Sequence, residues 1–395
     1  MLYNEACGEK LSRLGFGCMR LPLTADKAID EAELGRMVDY AIENGVNYFD
    51  TAYPYHGGLS EIAIGRALKR HPRDAWYLAS KYPGHQIAST YNPARIFEEQ
   101  LEKCGVEYFD FYLLHNVYEN SYGVYTDPKW GILDYFAGQV RRGRIRHLGF
   151  SSHARPDTLE RFLDYAGDRV AFCQIQLNYL DWSLQDAKGK YELLTARDIP
   201  VWVMEPLRGG RLAALDGAEE ARLKALRPEE SVAAWSFRWL QNLPNVKMVL
   251  SGMSSLDQMV DNVNTFSGGA PQSVEEAALL ESIAEGMKDA LPCTRCRYCT
   301  AGCPMGLDIP MMIHAYNDFR FAQSMTVPMQ FDALPENKRP SACVACGACA
   351  AICPQSIDIP GALAELADML ANAPSWEELC RQREEAARKL KEKGE

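Results

Sequence analysis

No stretch of this 395-residue chain approaches the ~20 consecutive apolar residues that a membrane-spanning helix needs. Positive charge is also scarce, with 42 Lys and Arg against 53 Asp and Glu and a net charge of −11. That balance argues against nucleic acid or an anionic membrane as a partner. The first residues, Met1 to Cys7, include an acid and lack the apolar core of a secretory leader. No oxidising compartment is therefore indicated, and the 13 cysteines are not expected to form a disulfide framework. A dinucleotide fingerprint is missing too: Gly15-Phe16-Gly17 opens like GxGxxG, but the sixth position is Arg20. What remains is a soluble, cytoplasmic protein with 47% hydrophobic residues, long enough for two domains.

The cysteines that are present carry a pattern. Cys293-x2-Cys296-x2-Cys299-x3-Cys303-Pro304 is repeated 50 residues on as Cys343-x2-Cys346-x2-Cys349-x3-Cys353-Pro354. The copy extends further, since Leu307-Asp308-Ile309-Pro310 is echoed by Ile357-Asp358-Ile359-Pro360. Thiolates at this spacing, closed by Pro, form the bacterial ferredoxin ligand run for a [4Fe–4S] cluster. Zinc prefers CxxC pairs set further apart. In the crossed pattern of two-cluster ferredoxins, Cys293, Cys296, Cys299 and Cys353 hold one cluster. Cys343, Cys346, Cys349 and Cys303 hold the other. Cys7, Cys18, Cys104, Cys173 and Cys380 are left as small buried residues or free thiols.

Upstream, eight short apolar runs alternate with helical patterns. They are 14–18, 47–52, 76–81, 109–115, 145–151, 171–178, 200–206 and 246–251. Near-continuous apolar runs suit a parallel sheet covered on both faces. The first helix has Asp30 as cap, Glu33 at the capping-box position and Gly45 as its stop. Asn92-Pro93 and Asp127-Pro128 each read as a cap followed by Pro at the first helical position. Eight strand–helix units in about 270 residues match a (β/α)8 barrel. The expected organisation is an α/β TIM barrel over residues 1–270. A mostly helical, ferredoxin-like domain with two [4Fe–4S] clusters follows over 271–395.

In such a barrel the chemistry sits where the strands end. The second run ends in Asp50-Thr51-Ala52-Tyr53-Pro54-Tyr55, the third in Ser80-Lys81 and the fourth in Leu114-His115. Any one of these alone reads as a cap or a solvated charge. Three polar endings on successive strands are costly in a core unless they pair at one mouth. A Tyr beside a buried cation has its phenolate favoured, which makes it a proton donor useful near neutral pH. Loop 116–130 carries Tyr118, Tyr122, Tyr125 and Trp130, to line a pocket or to pack on the rim. The charged tail, 376–395, reads as a solvated helix face or a docking helix.

Leu14-Gly15-Phe16-Gly17, Phe49-Asp50-Thr51-Ala52, Ser60-Glu61-x3-Gly65-x2-Leu68, Ser80-Lys81, Asp110-x-Tyr112-Leu113-Leu114-His115 and Gly149-Phe150-Ser151 together resemble the aldo-keto reductase superfamily. With the cysteine runs, the chain is similar to the branch with a fused iron–sulfur domain. The 39 residues between Cys303 and Cys343 resemble helical ferredoxin domains rather than compact ones.

The resemblance implies a catalytic tetrad of Asp50, Tyr55, Lys81 and His115, with Tyr55 as proton donor and Tyr53 as its rival. It implies nicotinamide contacts from Ser151, Ser152 and Gln174. The pyrophosphate loop falls on Pro206, Leu207, Arg208, Gly209, Gly210 and Arg211. The adenosine end falls on Gly252, Ser254, Gln258 and Asn262. Two positions depart from the family: Met204 stands where many members stack a Tyr, and Gln258 where many carry an Arg for a 2′-phosphate. NAD, NADP and a flavin stay open.

The implied activity is hydride transfer between a nicotinamide nucleotide and a small carbonyl or alcohol. The clusters would link it to an outside ferredoxin or a partner subunit. The alternatives are an ordinary reductase with structural or sensing clusters, and a non-catalytic electron-transfer scaffold.

Overall fold

The computed structural model describes all residues except 87, 216, 270–271, 288–289, 323–325, 333 and 374–395. The charged tail and Cys380 lie outside the described residues. The chain divides into two compact units, Met1–Asp289 and Ala290–Glu395.

The first unit opens with a hairpin, β1 (Tyr3–Ala6) and β2 (Glu9–Ser12). Eight strands follow: β3 (Leu14–Gly17), β4 (Tyr48–Asp50), β5 (Tyr77–Tyr82), β6 (Phe109–Val117), β7 (Ile145–Ser152), β8 (Cys173–Gln176), β9 (Val201–Met204) and β10 (Val246–Ser251). They close a parallel barrel in chain order, β10 pairing with β3. Each of the eight apolar runs supplies one strand. The hairpin is an addition that the sequence reading did not contain. Its Ala6 and Leu11 pack with Tyr48, Phe111, Phe172, Trp202 and Met248, large side chains from the strands and their approaches that fill the barrel.

The helices cover the outer faces of the strands. Asp30 accepts from Glu33 N at 2.9 Å and caps helix Glu31–Glu43, and Asn92 caps helix Pro93–Cys104. The expectation at Asp127-Pro128 needs correction. Asp127 terminates a helix, Glu119–Thr126, and the next one starts at Ile132 behind a left-handed Gly131. Loop 116–130 therefore contains a helical turn of its own. Gly65 has a packing reason: a Cβ there would lie 2.4 Å from the carbonyl oxygen of Cys104. Only glycine lets helices Ser60–Leu68 and Pro93–Cys104 approach so closely.

Helix Val274–Gly286 falls beyond the expected boundary at 270. Its Leu280, Ile283 and Ala284 pack with Leu180, Leu212, Leu223 and Trp235 of the first unit. The second unit is helical, with Ile309–Ala322, Thr326–Asp332 and Ile359–Ala371 as its longer elements. Short helices Tyr298–Ala301 and Ala348–Ala351 carry the third cysteine of each run. Among the described residues no helix is long and apolar enough to cross a membrane.

Candidate active site and cysteine cradles

β4, β5 and β6 are neighbours in the barrel, so their C-terminal ends deliver polar side chains to one place. Lys81 is fully buried, and its Nζ donates to Asp50 Oδ1 and, at 2.8 Å, to the carbonyl of Thr51. A charge buried so deeply requires such a partner. Burial pushes the Asp50 carboxyl above its usual range, and the Lys81 ammonium opposes that rise. Lys81 Nζ lies 5.0 Å from the centroid of the Tyr55 ring. That ring meets His115 edge-on at 5.8 Å. Asp50, Tyr55, Lys81 and His115 are thus brought together. Tyr53 turns elsewhere: its hydroxyl donates to Glu99 Oε1 at 3.2 Å, and Lys103 covers its ring.

His115 is held well below the usual imidazole range, first by burial and then by His85, Lys81 and His153. A neutral imidazole keeps one donor and one acceptor nitrogen. His85, whose pKa burial lowers to about 4, meets His115 edge-on with centroids 4.4 Å apart. Tyr125 donates to the carbonyl of His115 at 2.6 Å and packs within the rim. His85 and His153 were missed by the sequence reading. Each lies just beyond a strand end, His85 four residues after Lys81 and His153 directly after Ser152, and that position is the signal that marks them.

Beside this group lie buried polar atoms in search of partners. Gln174 Oε1 and both side-chain heteroatoms of Asn116 make no hydrogen bond within the protein. Buried amide atoms are rarely left so. Asn116, left-handed at φ 55°, follows His115 and was also missed. Unused acceptors and a donor at this mouth fit the carboxamide of a nicotinamide. The hydroxyls of Ser151 and Ser152 are engaged, the first accepting from Asn116 N at 2.8 Å and the second donating to Val117 O at 2.8 Å.

At the far side of the mouth, Gln258 Oε1 accepts from Ser254 N at 2.8 Å. Asn262 Nδ2 donates to Ser251 Oγ at 2.9 Å. Arg20 lies against Gly252, and its carbonyl accepts from Ser254 Oγ at 2.8 Å. In the loop after β9, the carbonyl of Pro206 accepts from Ser236, and Leu207 packs at the edge of the core. Arg208 is buried in the same loop. Its guanidinium is 1% exposed, with Nε 3.2 Å from Asp181 Oδ1. Gly209 N is taken by Glu205 at 2.7 Å. Arg211 follows in the 3₁₀ turn Arg208–Ala213.

In the second unit the thiols gather in two sets. Cys303, Cys343, Cys346 and Cys349 line one small cavity with Leu307, Ile309, Val344 and Leu363. Cys299 has Cys293, Cys296 and Cys353 as its electrostatic neighbours, and burial pushes its thiol up. Each set draws three cysteines from one run and the fourth from the other. Among the described residues no three His, Cys, Asp or Glu side chains converge on a single metal ion. An apolar cavity walled by four separated thiols fits a polynuclear cluster better than a lone ion.

The family models agree with both halves. The model described as the aldo/keto reductase family matches residues 13–285, and a 4Fe-4S dicluster domain matches 292–357. The chain belongs to the aldo/keto reductase family. It is an oxidoreductase of that type with a fused 4Fe-4S dicluster domain.

It is 32% identical over 162 residues to "Probable aldo-keto reductase 1" of Glycine max, a match covering 39% of this chain and 45% of that protein. Less than half of that relative's length is therefore spanned. It is 23% identical over 290 residues to the "NADH-specific methylglyoxal reductase" of Escherichia coli (strain K12), covering 62% of this chain and 85% of that one. Among solved structures, the holo form of aldo-keto reductase AKR11C1 from Bacillus halodurans superposes with a TM-score of 0.59 at 25% identity. That match covers 72% of this chain and 96% of the other.

Proposed function

We propose that the barrel reduces a small carbonyl compound, or oxidises the matching alcohol, with Tyr55 as the proton donor. In this reading residues 293–353 carry electrons singly to or from an outside redox protein. The observation that supports it best is the meeting of Asp50, Tyr55, Lys81 and His115 at one mouth.

A nicotinamide nucleotide, once bound, supplies or accepts the hydride at the carbonyl carbon. Every other step belongs to the chain. Asn116 and Gln174 orient the nucleotide's carboxamide. His115, kept neutral by burial, directs an N–H at the carbonyl oxygen and fixes the substrate. Tyr55 delivers its hydroxyl proton to that oxygen as the alcohol forms, and Lys81 stabilises the phenolate that remains. Asp50 holds Lys81 in place. NADH is favoured by Gln258, which bonds Ser254 and brings no charge for a 2′-phosphate.

The eight cysteines hold two [4Fe–4S] clusters in the crossed sets, and each such cluster passes one electron at a time. Linking them to a two-electron site calls for a one-electron converter, normally a flavin.

Tyr55→Phe is expected to lower carbonyl turnover by about 10²-fold or more, the scale of a positioned general acid. Unchanged turnover would remove the assignment. NADH added anaerobically together with a free flavin as the converter is expected to bleach cluster absorbance in the intact protein. Full turnover in a Cys346→Ser protein, with no bleaching in the intact one, would leave the clusters a structural role.

A further inference from the structure

The loop after β9 holds a carboxylate of its own against the backbone N–H of Gly209, while Arg208 N and Gly210 N donate to the carbonyls of Glu205 and Leu207. Glu205 follows the seventh strand of the barrel directly and is left-handed, at φ 55°. Its Oε2 accepts from Gly209 N at 2.7 Å, and its Oε1 lies 3.4 Å from Arg20 Nη2. Its carbonyl accepts from Asn178 Nδ2 at 2.9 Å and from Arg208 N at 3.1 Å. A residue with a Cβ pays for that backbone conformation, and such strain gathers at ligand clamps.

Three residues further along the same loop are left-handed as well, Arg208 at 48°, Gly209 at 67° and Gly210 at 96°. Runs of unusual turn residues aim N–H groups into a concavity suited to anions. In eight-stranded α/β barrels the loops after the seventh and eighth strands frequently seat a phosphate.

Arg208 gives a second, independent sign. Its guanidinium is buried beside Asp181, and Nη2 makes no hydrogen bond. Arginine carries five N–H donors, and a buried one left idle is short of an acceptor oxygen. The loop therefore has anion-binding capacity in excess of what the protein's own groups use. Part of that capacity is already filled, because Glu205 sits on the Gly209 N–H. Burial raises the Glu205 carboxyl above its usual range, and Arg20 opposes the rise.

We propose that Glu205 is a specificity residue that fills the phosphate seat of this barrel, so that a phosphate-bearing nucleotide binds by displacing its carboxylate from Gly209. The inference rests on the nucleotide reading above and deepens it. The exchange is one anion for another: a phosphate oxygen takes the Gly209 N–H, and Glu205 keeps Arg20 as its remaining partner. Two like charges cannot share one N–H cradle without a penalty. Glu205 thus weakens every ligand that places a phosphate there and leaves phosphate-free ligands unaffected.

The test is calorimetric titration of the full chain and its Glu205→Gln variant with NADH, NADPH, inorganic pyrophosphate and adenosine. Gln keeps the shape of Glu and removes the charge. Both dinucleotides and pyrophosphate are expected to bind Glu205→Gln about tenfold more tightly, a common scale for relief of one like-charge contact. Adenosine is expected to bind both proteins equally. Glu205→Ser, which opens the seat, is expected to move in the same direction and guards against a folding defect in the first variant. Equal or weaker pyrophosphate binding by both variants overturns the proposal, as does an equal gain for adenosine. Absence of pyrophosphate binding in all three proteins overturns it too, since no seat then exists. Tighter pyrophosphate binding without any nucleotide-dependent turnover would instead strike the reductase reading and leave the seat standing.

Discussion

The side chain of Gln100 donates to the backbone carbonyl of Lys81 at 3.1 Å. Glu61 Oε1 in turn accepts from Gln100 Nε2 at 2.7 Å and from Ser80 Oγ at 2.6 Å. Next to Glu61, Ser60 Oγ bridges Thr51 Oγ1 at 2.9 Å and the carbonyl of Cys18 at 3.0 Å. Two consecutive residues of one helix therefore brace Lys81 from both ends. One works through the peptide that receives its Nζ, the other through its own carbonyl.

Removing that brace has a measurable cost. Gln100→Leu leaves Glu61 buried with a single donor. It is expected to lower stability by about 2–3 kcal/mol, the range for stranding a buried polar group. Urea unfolding followed by circular dichroism measures it. A loss within the ±0.5 kcal/mol typical of surface changes would show that the network contributes little.

The Arg208–Asp181 pair gives a second expectation. Both side chains are buried, and Gln176 and Asn178 each donate to Asp181 Oδ2 at 2.7 Å. Asp181→Asn leaves a guanidinium buried without its ion-pair partner, with Glu205 as the remaining nearby carboxylate. The expected loss is about 3–5 kcal/mol, read as a lowered urea midpoint. An unchanged midpoint would mean that Arg208 finds solvent.

Acid stability carries the mark of His85. Its folded pKa is about 4, and its ordinary value is 6.5. Between these the unfolded chain binds a proton that the folded one refuses. Stability therefore falls as pH drops through that window, by about 1.4 kcal/mol per pH unit. His85→Gln is expected to lose about that much of the slope. His115 and His153, also lowered by burial, keep part of it. Unfolding titrations at a series of pH values decide the matter, and an unaltered slope would contradict the buried, neutral His85.

The crossed cysteine sets can be separated by paired variants. Cys303 and Cys343 line the same cavity. A Cys303→Ser, Cys343→Ser double variant is expected to disturb one cluster and to retain about four irons per chain in the other. Cys293→Ser combined with Cys303→Ser is expected to disturb both. The opposite ranking in iron content and electron paramagnetic resonance would favour uncrossed binding.

Much of this was legible in the residues. Strand runs such as 246–251 showed themselves because a doubly covered parallel strand must be apolar along its length. The cysteine runs were legible because ligand spacing is a local property. The N-terminal hairpin was not, since Tyr3–Ser12 is short and half exposed, with too few apolar residues for a pattern. Asp127-Pro128 misled because a good cap can also close the preceding helix. Glu205 was hidden between Met204 and Pro206, inside a run that reads as strand.

The sequence by itself determined the barrel, the two cysteine runs and the residue types available at each strand end, because each depends on neighbours within a few positions. Tertiary structure alone decided which polar groups meet. Lys81 finds Asp50 across adjacent strands, and Arg208 meets Asp181 from the loop after another strand. Those choices follow from closing eight strands into a ring. Closure sets distances between residues far apart in the chain, and buried charges then settle on whichever partners come within reach.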